Sequence, residues 1–89
     1  VPPYTNRHLK RRLDTLRGRS GVRIESIGKT PEGRDIPLVS ITDPNTPDAG
    51  KKVAWLMFRQ HSWEAGSSWV GDGAIEYLAS NDPEAERLR

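Results

Sequence analysis

Val53-Ala54-Trp55-Leu56-Met57-Phe58 is the longest unbroken apolar run of a chain that is only 34% apolar. A run without polar alternation suits a strand covered on both faces, the kind found inside α/β sheets. Its β-branched and aromatic content favours a strand over a buried helical turn. The expectation is therefore a central strand over residues 53–58, with other elements arranged around it. At 89 residues the chain amounts to one small domain with a thin core.

The rest of the sequence supplies those other elements. Val1-Pro2-Pro3 reads as an extended lead-in, and Thr5 as the cap of a helix carrying Leu9, Leu13 and Leu16 on one stripe. Gly18 and Gly21 mark its end. Val22–Lys29 and Ile36–Thr42 read as two strands joined by the turn Thr30-Pro31-Glu32-Gly33. Pro37 has no N–H to give a ladder, which places the second strand at an edge or starts it near that residue. Asp43–Lys52 is a polar loop. Ser67–Ser80 reads as a helix with Val70, Ala74, Tyr77 and Leu78 on one side. Gly71 and Gly73 weaken it unless packing demands their small size. Asp82-Pro83-Glu84 starts a last helix: a cap, a proline at the first position, then an acid in the first turn.

Chemistry concentrates behind the apolar run. In Arg59-Gln60-His61-Ser62-Trp63-Glu64, His61 and Glu64 stand three positions apart at the exit of the expected strand. Zinc accepts imidazole nitrogen and carboxylate oxygen, and open α/β sheets place ligands beyond the carboxyl ends of their strands. With no cysteine in the chain, thiolate ligands and disulfides are excluded. Two donors are one short of a catalytic zinc site, and the same pair also reads as a loop histidine beside a surface glutamate. His8, the other histidine, reads as a face residue of the basic helix rather than a third ligand. Ser67 and Ser68 read as helix caps, because no G-x-S-x-G elbow is present. Trp55, Trp63 and Trp69 read as packing residues, with Trp63 able to line a cleft.

Taken in order, the motifs resemble the N-terminal part of the catalytic domain of M14 zinc carboxypeptidases, especially the cytosolic carboxypeptidase-like branch. The resemblance runs through Pro3-Tyr4-Thr5, Ser26-Ile27-Gly28-Lys29-Thr30 with Gly33-Arg34, and Arg59-Gln60-His61 with Glu64. It continues through Ser68-Trp69-Val70, Gly73, Tyr77-Leu78 and Asp82-Pro83 to Leu88-Arg89. It implies an α/β fold: part of a mixed sheet with flanking helices, in the order helix, hairpin, central strand, helix. Residues 1–89 would be one N-terminal piece of the catalytic domain, residues 1–4 its lead-in, with the C-terminal remainder missing. His61 and Glu64 would be metal ligands for one zinc ion. A third ligand, the general-base Glu and the substrate-binding Arg and Tyr would follow downstream, leaving no catalytic base within these residues and the piece inactive by itself. The reaction implied is hydrolysis of the C-terminal peptide bond of a peptide or protein, glutamate-rich tails among them, in the cytoplasm. Ser62-Trp63 stands where many relatives carry Pro-Gly, so the substrate residue removed stays open.

Two other classes compete: a carboxypeptidase-like scaffold without activity, and a basic binding module. Residues 7–23 hold seven Arg and Lys side chains against Asp14 alone, within a chain of net charge +2. The leucine stripe already accounts for that helix, so its charges read as a solvated face, with no nucleic acid and no membrane as partner. Titration with duplex DNA at two ionic strengths separates the classes. No binding is expected at low salt, where phosphate contacts would be strongest.

Overall fold

The computed structural model describes residues 2–89, so Val1 of the expected lead-in lies outside the described residues. The element order is α1 (Asn6–Leu16), β1 (Val22–Lys29), β2 (Asp35–Ile41), α2 (Ala65–Leu78) and α3 (Pro83–Leu88). The α/β character and the hairpin agree with the sequence expectation.

Helix α1 starts at Thr5, whose extended backbone lets its N–H donate to Nδ1 of His8 at 3.0 Å. The pair forms a capping box in which an imidazole takes the place usually held by Glu or Gln. Leu13 and Leu16 are buried, and Leu16 is the one large side chain of the described residues that is fully enclosed. Gly18 and Gly21 then turn the chain at φ of 79° and 80°. Gly21 has no alternative here: a Cβ would stand 2.4 Å from the Thr42 carbonyl oxygen, against which the Thr42 N–H to Gly21 O hydrogen bond closes the hairpin base at 2.9 Å.

Strands β1 and β2 pair antiparallel, from Val22 opposite Ile41 to Lys29 opposite Asp35. Gly33 closes the connecting turn with φ 81°, its N–H bonded to the Thr30 carbonyl at 2.8 Å. The ladder slips between Ser26 and Lys29, directly beyond the Ser26–Pro37 pair. Proline withholds a donor there, and an extra residue on the opposite strand absorbs the mismatch. In a two-stranded sheet both strands are edges, so Pro37 sits where its chemistry allows.

The expected central strand does not form. Residues 53–58 hold no regular secondary structure and pair with neither strand. Val53 is 88% exposed, Trp55 62%, and Leu56 and Met57 58%. A doubly covered strand needs hydrogen-bonding neighbours on its sides and apolar cover above and below, and the hairpin supplies neither to this segment. The sheet of the described residues is accordingly an antiparallel pair rather than a mixed sheet.

Only the end of the run is anchored. The Phe58 ring lies flat on Gly71 of α2, where a Cβ would come within 2.6 Å of the ring. Gly71 is buried for this reason, whereas Gly73 faces open space. Helix α2 packs on α1 and on α3. The Arg89 guanidinium closes the α2–α3 corner by donating to the Leu78 and Ser80 carbonyls at 2.8 and 2.7 Å. Asp82 caps α3 through the Glu84 N–H at 2.9 Å, as its sequence start predicts. The buried apolar core is Leu13, Leu16, Ala79 and Ala85.

The two glycines of α2 should separate cleanly by mutation. Gly71→Ala is expected to cost about 1–3 kcal/mol because the Phe58 ring has to move. Gly73→Ala is expected to stabilise by about 0.5–1 kcal/mol through helix propensity alone. Urea denaturation of both variants checks this, and equal effects would contradict the packing.

Candidate functional site

The turn between the apolar run and α2 is built by backbone geometry before any side chain reaches out. Arg59 opens it in the left-handed region, φ 58°, the one non-glycine residue of the described chain with positive φ. Such a conformation costs a β-carbon-bearing residue of order 1 kcal/mol or more, and persists where surrounding contacts over-determine it. Those contacts are present. The Arg59 N–H donates to Ser67 Oγ at 2.8 Å, and the Ser67 hydroxyl donates to the Glu64 carbonyl at 2.9 Å. One hydroxyl therefore joins both ends of the turn. The Glu64 N–H returns to the His61 carbonyl at 3.1 Å. Ser67 and Ser68 are thus not the caps expected from sequence; Glu64 holds the N-cap position of α2. Ser67 closes the turn from within the helix's first coil.

This closure brings His61 and Glu64 together. His61 Nδ1 lies 2.7 Å from Glu64 Oε1, and the His61 N–H points to Glu64 Oε2 at 3.3 Å. Both side chains reach solvent, 53% and 37% exposed. Trp63, 78% exposed, stacks on the imidazole with ring centroids 4.9 Å apart and planes 10° from parallel. It covers one face of His61.

The pair fits a metal in donor type, side and access. Two donors sharing a tetrahedral zinc at 2.0–2.1 Å stand about 3.3 Å apart, so this pair would have to open by about half an ångström. Its exposure leaves room for that. Among the described residues no group of three His, Cys, Asp or Glu side chains converges to hold an ion. His8 is no third ligand. It is half-buried on α1, its Nδ1 committed to Thr5 and its ring packed on Tyr4 and Trp69 at centroid distances of 5.3 and 5.0 Å. The surface-face reading of His8 thus gives way to a place in an aromatic cluster.

A polar junction that sequence reasoning left without a role carries the platform under this turn. Asp72 of α2 accepts the Tyr4 hydroxyl at 2.6 Å and Arg12 Nε of α1 at 3.0 Å. A further Arg12 nitrogen reaches Asp72 at 2.8 Å and Glu76 at 3.1 Å. Burial alone would raise the Asp72 carboxyl, but hydrogen bonds from Arg12 and Tyr4 outweigh it and hold the group below its ordinary range. Burial, reinforced by the Asp72 charge, pushes the Tyr4 phenol above its ordinary range. The only sequence signal was a charge spacing of 60 residues between Arg12 and Asp72, which no local pattern can reveal.

Comparison with known proteins bears on the same residues. A family model described as zinc carboxypeptidase matches residues 10–89. Cytosolic carboxypeptidase 6 of Mus musculus is 34% identical over 91 residues, covering 98% of this chain and 17% of that protein. Cytosolic carboxypeptidase 2 of Mus musculus is 34% identical over 70 residues, covering 75% of this chain and 8% of its own length. An uncharacterised protein of Zymomonas mobilis, ZMO1242, is 28% identical over 86 residues and is covered to 21%. The chain thus spans about a fifth or less of these relatives. No solved structure matches it.

The Asp72 junction has a pH signature. A carboxyl held low in the folded state stabilises above its unfolded range, and that contribution is lost as pH falls through it. Asp72→Asn should cost about 1–3 kcal/mol at pH 7. It should also reduce the loss of stability between pH 7 and pH 3, measured by urea midpoints. An undiminished acid loss in the variant would show that Asp72 is not a contributor.

Proposed function

Because this chain belongs to the zinc carboxypeptidase family, we propose that it forms part of the metal site of a peptidase that removes C-terminal residues from peptides or proteins. The observation that carries the proposal is the 2.7 Å approach of His61 Nδ1 and Glu64 Oε1 on one side of a closed turn. His61 and Glu64 would hold one zinc ion, and a third protein ligand would come from outside residues 2–89. When bound, the metal polarises the scissile carbonyl and lowers the pKa of a water molecule.

The chain's own residues prepare that chemistry. Glu64 offers a carboxylate whose charge no Lys or Arg pairs with among the described residues. His61 offers an imidazole stacked on Trp63. That stack keeps water from one face of the ring. The general base belongs to the remainder of the domain, so residues 1–89 alone would be inactive. Trp63, flanking the ligands and exposed, would border the substrate cleft. Glutamate-rich C-termini are the substrate class proposed, in keeping with the likeness to cytosolic carboxypeptidases. The names of the two carboxypeptidase relatives support a cytosolic location. No helix of the described residues is long and apolar enough to cross a membrane.

Metal analysis of the intact protein tests the reading. One zinc per chain is expected, and His61→Ala or Glu64→Gln should lower zinc affinity by more than about 100-fold, since even loss of an outer partner of a ligand costs about 10–100-fold. Full zinc occupancy in His61→Ala at limiting metal would end the proposal.

A further inference from the structure

Arg59 is not a metal ligand, yet its guanidinium ties the turn that carries His61 and Glu64 to α2 and to the lead-in. Its guanidinium Nε donates to the Ser62 carbonyl at 3.0 Å, the peptide between the two proposed ligands. Its Nη1 donates to Ser68 Oγ on α2 at 3.2 Å and makes a longer, 3.4 Å contact to the Tyr4 carbonyl. Its own N–H is held by Ser67 Oγ at 2.8 Å. The fork therefore links the turn, the first coil of α2 and the lead-in segment. The lead-in is itself tied down by Trp69, whose indole N–H donates to the Pro2 carbonyl at 2.7 Å, and by the Tyr4 hydroxyl on Asp72 at 2.6 Å.

Two features separate this from ordinary surface packing. First, the backbone at Arg59 is in the left-handed region, where glycine would be unstrained. Arginine occupies the position despite its β-carbon, so the local backbone alone does not account for it. Second, every partner of the guanidinium is a neutral oxygen. Among the described residues no Lys or Arg pairs with Glu64, and a carboxylate paired with a fixed cation would be a poorer ligand for an ion. Here Arg59 orders the turn and leaves the Glu64 charge free for the ion.

We infer that Arg59 is a positioning residue that sets the metal affinity of the His61–Glu64 pair by holding the Ser62 peptide between them. This rests on the reading of His61 and Glu64 as zinc ligands. The fork geometry is what matters: a lysine ammonium is a point donor and cannot serve Ser62 and Ser68 from a fixed plane.

The test is zinc affinity of the intact protein by competition with a chromogenic chelator, alongside thermal unfolding of the metal-free form. Arg59→Gly removes the fork and relieves the backbone. Arg59→Lys keeps the charge and loses the fork. Both should lower zinc affinity about 10–100-fold, the range known for outer partners of metal ligands. The metal-free melting temperature of Arg59→Gly should stay within a few degrees of the parent. Wild-type affinity in both variants overturns the inference. If Arg59→Gly unfolds, Arg59→Lys decides, and parental affinity in that variant overturns the inference as well. His61→Ala separates the two levels: lost affinity there with parental affinity in the Arg59 variants removes this inference alone, while retained affinity in His61→Ala removes the ligand reading beneath it.

Discussion

Asp72 binds two groups that lie 60 and 68 residues before it in sequence, Arg12 and Tyr4. With four buried apolar residues to define a core among the described residues, this junction fixes how α1 and the lead-in meet α2. Hydrophobic burial supplies much of the cohesion of any fold but carries little directional information. A carboxylate clasped by a guanidinium on one oxygen and a phenol on the other does carry it. The geometry is directional, charge-assisted and half-shielded from water, which is where such bonds contribute most reliably. Ser67 and Ser68 belong to the same helix and bond to Arg59, so the junction also relates the turn after Phe58 to α1.

The turn resolves a conflict between stability and chemistry. His61 and Glu64 satisfy each other at 2.7 Å. Such an exposed pair is worth little to folding, at most about 1 kcal/mol. It therefore yields easily, while it keeps both side chains on one side of the turn. The rigid part of the arrangement lies in the backbone, held by Ser67 and Arg59, and the yielding part in the side chains.

How far the sequence discloses this architecture depends on the range of the interaction involved. The α1 stripe, the hairpin with its Thr30–Gly33 turn and the Asp82-Pro83 start are local patterns, and each appears where the pattern places it. The proximity of His61 and Glu64 follows from their spacing and from the helix that begins at Ala65. The central strand at 53–58 fails because its signal, continuous apolarity, states a need for cover without saying what provides it. Ser67 reads as a cap from composition, yet its hydroxyl serves the turn before the helix. The Arg12–Asp72–Tyr4 junction and the reach of Arg59 to Ser62 and Tyr4 are invisible in one dimension, since charge alone names no partner. His8 shows the same limit: helical periodicity assigns it a face but not the Tyr4 and Trp69 rings that occupy that face.

The Phe58–Gly71 contact shows how the exposed apolar run and the ligand turn are joined. Phe58 is the last residue of the run and immediately precedes Arg59. Its ring can lie on α2 only because Gly71 has no side chain. The helix thus accepts the propensity cost of a glycine, about 1 kcal/mol, and in return the apolar segment is pinned at the one end that adjoins the site. Val53 to Met57 remain open to solvent on their apolar faces, so the anchoring of the turn does not depend on what that segment packs against. Two fixed points, the aromatic ring on Gly71 before Arg59 and the hydroxyl of Ser67 after Glu64, bracket the six residues that carry the chemistry. Because both fixed points sit on α2, the donors move with that helix, and the Asp72 junction then relates them to α1.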